Sequence, residues 1–278
     1  MRHNIVFCIV TRILSFIFYK NADSAVKNNT FFEIDWKSGL IKAQAIYNAK
    51  YDDNGVPIIY NGKQSINKIK IDTYGRAQSS AIEILMSGIK DFQIEPGVKM
   101  MDIINKSDYT RSHLESMIGG KIFSKEYPVD FWSARSEVQL SFKDIIAVLP
   151  YNYPNQDFPV IRDKAYKTNY TSIIVDVRGA GFKPSLFPSI LDEDGLEVIS
   201  RNYIDINYAY KYGMVSYCYN ENEAGSMKIA GDFPLYTVSL NLVNGRPVIA
   251  HSDVKKIYSS GETLENVKKC RIIFIIDR

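Results

Sequence analysis

Hydrophobic and polar positions repeat with two different periods along this chain. In the first strand-like segment Ile41, Ala43, Ala45 and Tyr47 alternate with Lys42, Gln44 and Ile46. A period of two predicts strands over residues 31–36 and 40–47, joined by a turn at Lys37-Ser38-Gly39. Over residues 72–91 the period lengthens. Ala77, Ala81, Leu85 and Gly88/Ile89 recur at helical spacing, flanked by Ile82 and Met86. Asp72 or Thr73 is the expected cap, and Glu95-Pro96-Gly97 ends the region. The small residues Gly75, Ala77, Ser80 and Ala81 would let this helix lie close on a sheet. Shorter helices are expected over residues 98–105 and 113–118, the second stopping at Gly119-Gly120. Residues 121–130 and 135–142 then read as an antiparallel pair, with Val138, Leu140 and Phe142 alternating with Glu137, Gln139 and Ser141.

Residues 151–169 lose both periods, hold Pro154 and Pro159, and are expected to connect two domains, 31–150 and 170–278. The second domain opens on the apolar run Ile173-Ile174-Val175, which suits a strand buried on both faces. Pro184 and Pro188 hold the following segment extended or turned. Residues 189–191 and 196–199 flank Asp192-Glu193-Asp194-Gly195, and residues 234–243 and 247–251 flank Asn244-Gly245. Both patterns predict hairpins. A helix is expected over 203–212, a strand over 214–219, a helix over 253–258 capped by Ser252, and a central strand over 271–276. The expected fold class is α+β, built of two small α/β modules. The N-terminal sheet is covered by helices, and the C-terminal part is a strand-rich mixed sheet with short helices.

Nineteen Tyr and fourteen Phe strengthen the strand-rich reading, because aromatic side chains suit half-buried sheet surfaces. The net charge of +3 comes from basic residues spread along the chain rather than clustered, which argues against a nucleic-acid partner. Residues 1–25 differ from the rest. Arg2 and His3 precede an apolar stretch that Arg12 interrupts and that is too short to span a bilayer comfortably as a helix. With residues 13–19 as the apolar region and Ala22 and Ala25 near a cleavage point, the stretch fits a secretory signal. A retained N-terminal anchor and an ordinary apolar helix stand as alternatives. Cys8 lacks the small residues that precede a lipidated cysteine. After removal of the leader Cys218 and Cys270 remain, either bridged or each filling a small apolar space.

The candidates for chemistry are weak. The acidic turn 192–195 supplies too few oxygens for a calcium loop and reads as a hairpin turn. Gly179 and Gly181 match the first two positions of a dinucleotide fingerprint, but Pro184 takes the third. Asp176 and Arg178 share a strand face and read as a structural ion pair. His251-Ser252-Asp253 has the residue types of a triad, but three consecutive residues cannot reach its geometry. A hydrolase would need a pocket gathering Asp176, Arg178 and His251. No catalytic, cofactor-binding or metal-binding residue is therefore assigned. Tyr203, Tyr208, Tyr210, Tyr212, Tyr217 and Tyr219 form the candidate interface, since tyrosine offers an apolar body with a polar tip.

Several segments together resemble a bacterial envelope family related to the FlgT and FlgP flagellar proteins, in its spirochaete-like form. They are Glu33-Ile34-Asp35-Trp36 with Gly39, Gly75-Arg76-Ala77, Tyr170-Thr171, Val175-Asp176-Val177-Arg178-Gly179, Lys183-Pro184-Ser185-Leu186-Phe187-Pro188, Leu191-Asp192-Glu193-Asp194-Gly195, Gly213-Met214-Val215, and Cys270 through Asp277. The resemblance implies a periplasmic, non-catalytic protein without a cofactor. Its partners would be other proteins of a flagellar motor collar or ring, or further copies of itself. Membrane contact would come at most through the N-terminal segment. The alternative is an envelope-associated binding protein of the same family with no flagellar role.

Overall fold

The computed structural model describes residues 30–49, 65–130, 132–151, 156–159 and 168–278. The leader and most of the expected connection lie outside the described residues. The fold is α+β.

Strands β1 (Phe31–Asp35) and β2 (Leu40–Asn48) form the hairpin that the alternation predicts, and Gly39 takes the positive φ of the turn. Helix α1 (Ile66–Ile89) crosses the sheet and buries Ala77, Ala81 and Leu85 against it. This helix begins six residues before the expected start. Ser65 caps it by accepting from the Lys68 amide, while Thr73 lies inside and donates to the Ile69 carbonyl. Lys68, Lys70 and Asp72 on its exposed side hide that Ile69 and Thr73 extend the buried stripe.

Strands β3 (Gln93–Glu95) and β4 (Val98–Lys99) turn at Pro96-Gly97. Helices α2 (Met100–Lys106) and α3 (Asp108–Lys121) follow. The expected stop at Gly119-Gly120 is not observed. Ser107 caps α3, and the two glycines sit in open space with helical backbone. Strands β5 (Phe123–Pro128) and β6 (Ser133–Ser141) are antiparallel, giving a sheet in the order β1-β2-β6-β5. Phe142 leaves the strand pattern to start helix α4 (Phe142–Val148). The cause is a capping box in which Ser141 and Asp144 satisfy each other's backbone.

A four-stranded parallel sheet forms the centre of the C-terminal part. It contains β7 (Ile173–Asp176), β10 (Ser216–Cys218), β11 (Leu235–Val238) and β14 (Ile272–Ile275), in the order β10-β14-β7-β11. The two apolar runs are thus its central strands, buried on both faces as expected. A second sheet holds β8 (Ile190–Leu191), β9 (Glu197–Ile199), β12 (Asn241–Val243) and β13 (Arg246–Val248), in the order β12-β13-β8-β9. Both expected hairpins are present. Asn244 and Gly245 take positive φ at the tighter one. The single strand expected over 234–243 is divided instead. The Ser239 amide still bonds Asp176, but the Leu240 amide turns to Val248 in the other sheet.

Helices α5 (Ile206–Tyr212), α6 (Glu221–Ser226), α7 (His251–Tyr258) and α8 (Gly261–Lys268) complete the chain. Ser252 does not cap α7. Its N-cap is Ala250, which makes no side-chain cap bond, and the His251 amide donates instead to Glu193 of the β8–β9 turn.

The two parts share one core. The Leu186 and Phe187 amides donate to the carbonyls of Gln93 and Ile94, and Arg201 pairs with Glu95 at 2.8 Å. Trp36 stacks on Phe92 and meets Tyr217 edge-on at 5.6 Å. Tyr217 holds this junction from beneath. Its hydroxyl donates to the Ser185 carbonyl at 2.7 Å and accepts from the Ser185 amide. Replacing Tyr217 by Phe strands both backbone groups in a buried site. The expected cost is about 1–3 kcal/mol in chemical denaturation. A change below about 0.5 kcal/mol would show that the two groups find other partners.

Candidate interaction surfaces

The structure separates the six candidate tyrosines. Tyr217 is buried, and burial pushes its hydroxyl pKa well up, so it belongs to the core rather than to an interface. Tyr203 is half-buried and stacks on Phe158 at 4.9 Å, and burial, then the charge of Glu197, raises its pKa. Tyr219 is half-buried between Lys37 and Arg278, each 5.8 Å from its ring. Tyr208 is also half-buried, its ring 6.2 Å from that of Tyr212 one helical turn on. Only Tyr210 and Tyr212, both on α5, are open to solvent.

A larger apolar surface lies elsewhere. In the parallel sheet, register places Tyr236 beside Ile174 and Val238 beside Asp176. These positions share the face that α6 covers, where Ile174, Ile273, Ile275 and Cys218 pack with Ala224 and Ala230. β11 is the last strand, and although the Tyr236 hydroxyl reaches Gly225 of α6, the helix leaves this margin open. Val238 is 63% exposed and Tyr236 is half exposed. Phe233 before β11 and Leu240 and Val243 after it are exposed as well. The odd-numbered amides of β11 and its extension point to β7, since Leu235 donates to Ser172 and Ser239 to Asp176. The backbone groups of Tyr236 and Val238 therefore face outward, along an edge that no described strand pairs. Sequence reasoning missed this surface because alternation marks Leu235 and Thr237 as inward but does not reveal where α6 ends.

Charge is concentrated at the carboxyl ends of the parallel strands. Arg178 reaches Asp176 with both Nε, at 2.9 Å, and Nη2, at 2.5 Å, and it also pairs with Glu221 at the start of α6. Hydrogen bonds from Arg178 hold the Asp176 carboxyl below its ordinary value, and those carboxylates hold the guanidinium above its own. Asp277 accepts the Gly179 amide. With both oxygens of Asp176 engaged by Arg178, the cluster ties β7 to α6. His251 stands apart from it, against Asp192, Glu193 and Asp194. A groove of about 380 Å³ runs across β1, β2, β6 and β5, lined by Phe31, Lys42, Phe123 and Lys125 among others; Asp176, Arg178 and His251 do not line it.

Cys218 and Cys270 are both free and buried. The pairing suggested by their number is not made. Cys218 sits beside Ile275, at the far end of β14 from Cys270. Five residues of near-extended chain separate the two levels by about 16 Å, beyond the reach of a disulfide. Burial pushes the Cys270 thiol up to about 12 and raises that of Cys218, so neither is a ready nucleophile.

Fold and surface together define a mixed α+β protein whose exposed features are apolar strand margins and tyrosines. Residues 172–278 match the family model described as Treponema pallidum Tp0624, second domain. That region, less than half of the chain, is similar to this Treponema domain. No curated protein matches the chain.

Proposed function

We propose that the protein is a non-enzymatic structural component of a periplasmic assembly, the flagellar motor collar or ring, and is needed for motor assembly and motility. The observation that carries this reading is the open edge of β11, with Tyr236, Val238 and Leu240 exposed along it. An unpaired edge bearing apolar side chains is built to take a further strand or an apolar partner face. The motif resemblance to FlgT- and FlgP-related proteins supports the flagellar assignment. The likeness of residues 172–278 to a Treponema domain supports a spirochaete setting, in which flagella are periplasmic. Among the described residues no helix is long and apolar enough to cross a membrane.

Tyr236→Glu combined with Val238→Lys is expected to abolish incorporation into the assembly. The melting temperature should stay within about 2 °C, because exposed positions contribute little to stability. Tomography of motors in cells carrying this double variant, no gene or the wild-type gene reads the result. A missing peripheral density with the variant and with the deletion supports the proposal. Normal motors and motility in the deletion strain would remove the flagellar role. The envelope-binding protein with the same edge would then be the remaining reading.

A further inference from the structure

The acidic turn between β8 and β9 and the first residue of α7 meet in space although 57 residues or more separate them in the chain. Asp192 and Asp194 each aim a carboxylate oxygen at His251, and the ligand atoms of the three residues all lie within 4.8 Å of one another. Nε2 of His251 is 3.4 Å from Asp194 Oδ2 and 3.7 Å from Glu193 Oε2, while Nδ1 is 4.0 Å from Asp192 Oδ2. Metal–ligand bonds of about 2.0–2.1 Å place neighbouring ligands of one tetrahedral ion about 3.3 Å apart; His251 Nε2 and Asp194 Oδ2 stand near that spacing, and the wider gaps close by small side-chain movements.

A second observation separates the cluster from an ordinary acidic turn. Asp192 is nine-tenths buried. Its Oδ1 accepts the amides of Asp194 and Leu196 and shapes the turn. Its Oδ2 faces the imidazole and accepts no hydrogen bond from a described residue. The imidazole nitrogens, with three carboxylates close by, likewise make no hydrogen bond to any of them; the bond from His251 to this turn is through its backbone amide. A carboxylate oxygen of the largely buried Asp192 and the His251 imidazole thus face each other with no hydrogen bond between them.

We infer that Asp192, Asp194 and His251 bind a divalent first-row transition-metal ion, with Glu193 positioned to close the site. One imidazole with carboxylates suits zinc and its neighbours. Calcium and magnesium prefer six or more oxygens or an octahedral, water-rich shell. The ion joins the β8–β9 turn to the start of α7, adding a bond between two elements that otherwise meet through the Glu193–His251 backbone contact.

Titration calorimetry of the reduced full-length protein with zinc chloride, calcium chloride and magnesium chloride tests the site. The expected result is one zinc equivalent, bound at least tenfold more weakly by His251→Ala and by Asp194→Asn and unchanged in His113→Ala. Zinc at 100-fold over its Kd should raise the wild-type melting temperature by about 5 °C or more. Because Asp194 is exposed and the half-buried His251 side chain makes no hydrogen bond to the turn, both variants should melt as wild type without metal, which separates lost ligation from lost folding. Absence of stoichiometric zinc binding would overturn the site and leave His251 as an ion-pairing group. So would equal binding by His251→Ala, or preference for calcium.

Discussion

Replacing Phe274 by Ala lowers the unfolding free energy by about 3–5 kcal/mol, the range for emptying a fully buried aromatic site. Phe274 is inaccessible to solvent on β14, one of the two central strands of the parallel sheet. It stands between Tyr217 of β10 and Val175 of β7 in register. Its ring stacks on Phe182 at 5.4 Å and meets Tyr217 at 5.9 Å. Those neighbours are held by both parts of the chain, through Trp36 against Tyr217 and through Ser185 on the Tyr217 hydroxyl. The cavity is therefore poorly placed to collapse, which favours the upper part of the range. Guanidinium denaturation should show an earlier midpoint at an unchanged slope. A loss under about 1 kcal/mol would mean that the core repacks around the gap.

Gly231→Ala should be nearly as damaging, at about 2–4 kcal/mol, although it adds a single methyl group. Gly231 has a φ of +69°, and a Cβ built there lies 2.6 Å from the Thr171 Cβ. Thr171 cannot step aside cheaply. Its hydroxyl donates to the Ala230 carbonyl at 2.5 Å and accepts the Phe233 amide, while its own amide donates to the Phe233 carbonyl. These bonds fasten the entry of β11 to the start of β7. Gly179→Ala is the matched control, since Gly179 has a φ of +72° with open space where its Cβ would lie. The control should lose only the conformational part, about 1–2 kcal/mol. If the two variants melt together, the contact with Thr171 is not the cause.

Local pattern carried much of this fold. The period-two segments became β2 and β6 in one antiparallel sheet, and the runs Ile173-Ile174-Val175 and Ile272-Ile273-Phe274 became neighbouring central strands. Asn244-Gly245 is a hairpin because those residue types accept positive φ. Where the reading failed, either a local cap or a distant partner decided. Phe142 begins a helix because Ser141 and Asp144 cap it, and its ring packs on Trp36 and Phe92. Residues 234–243 split between two sheets because Leu240 finds Val248 rather than β7.

The surface was less legible than the core. Six tyrosines close in sequence look like one face, yet the fold buries Tyr217, half-buries Tyr203, Tyr208 and Tyr219, and leaves only Tyr210 and Tyr212 largely exposed. The exposed margin at Val238 depends on strand order and on the length of α6, and neither is encoded in the local alternation of β11. His251 and the acids of turn 192–195 are each unremarkable where they stand in the chain. The parallel pairing of β13 with β8 carries the chain directly into α7 beside that turn.

The sequence by itself determined the α+β class, the buried strands and the hairpin turns, because each follows from periodicity and backbone preference within a few residues. Tertiary structure alone decided which cysteines are apart, which tyrosines are buried, which strand edge is open and which acids meet His251. Those outcomes depend on contacts between residues far apart in the chain, and no local period records them.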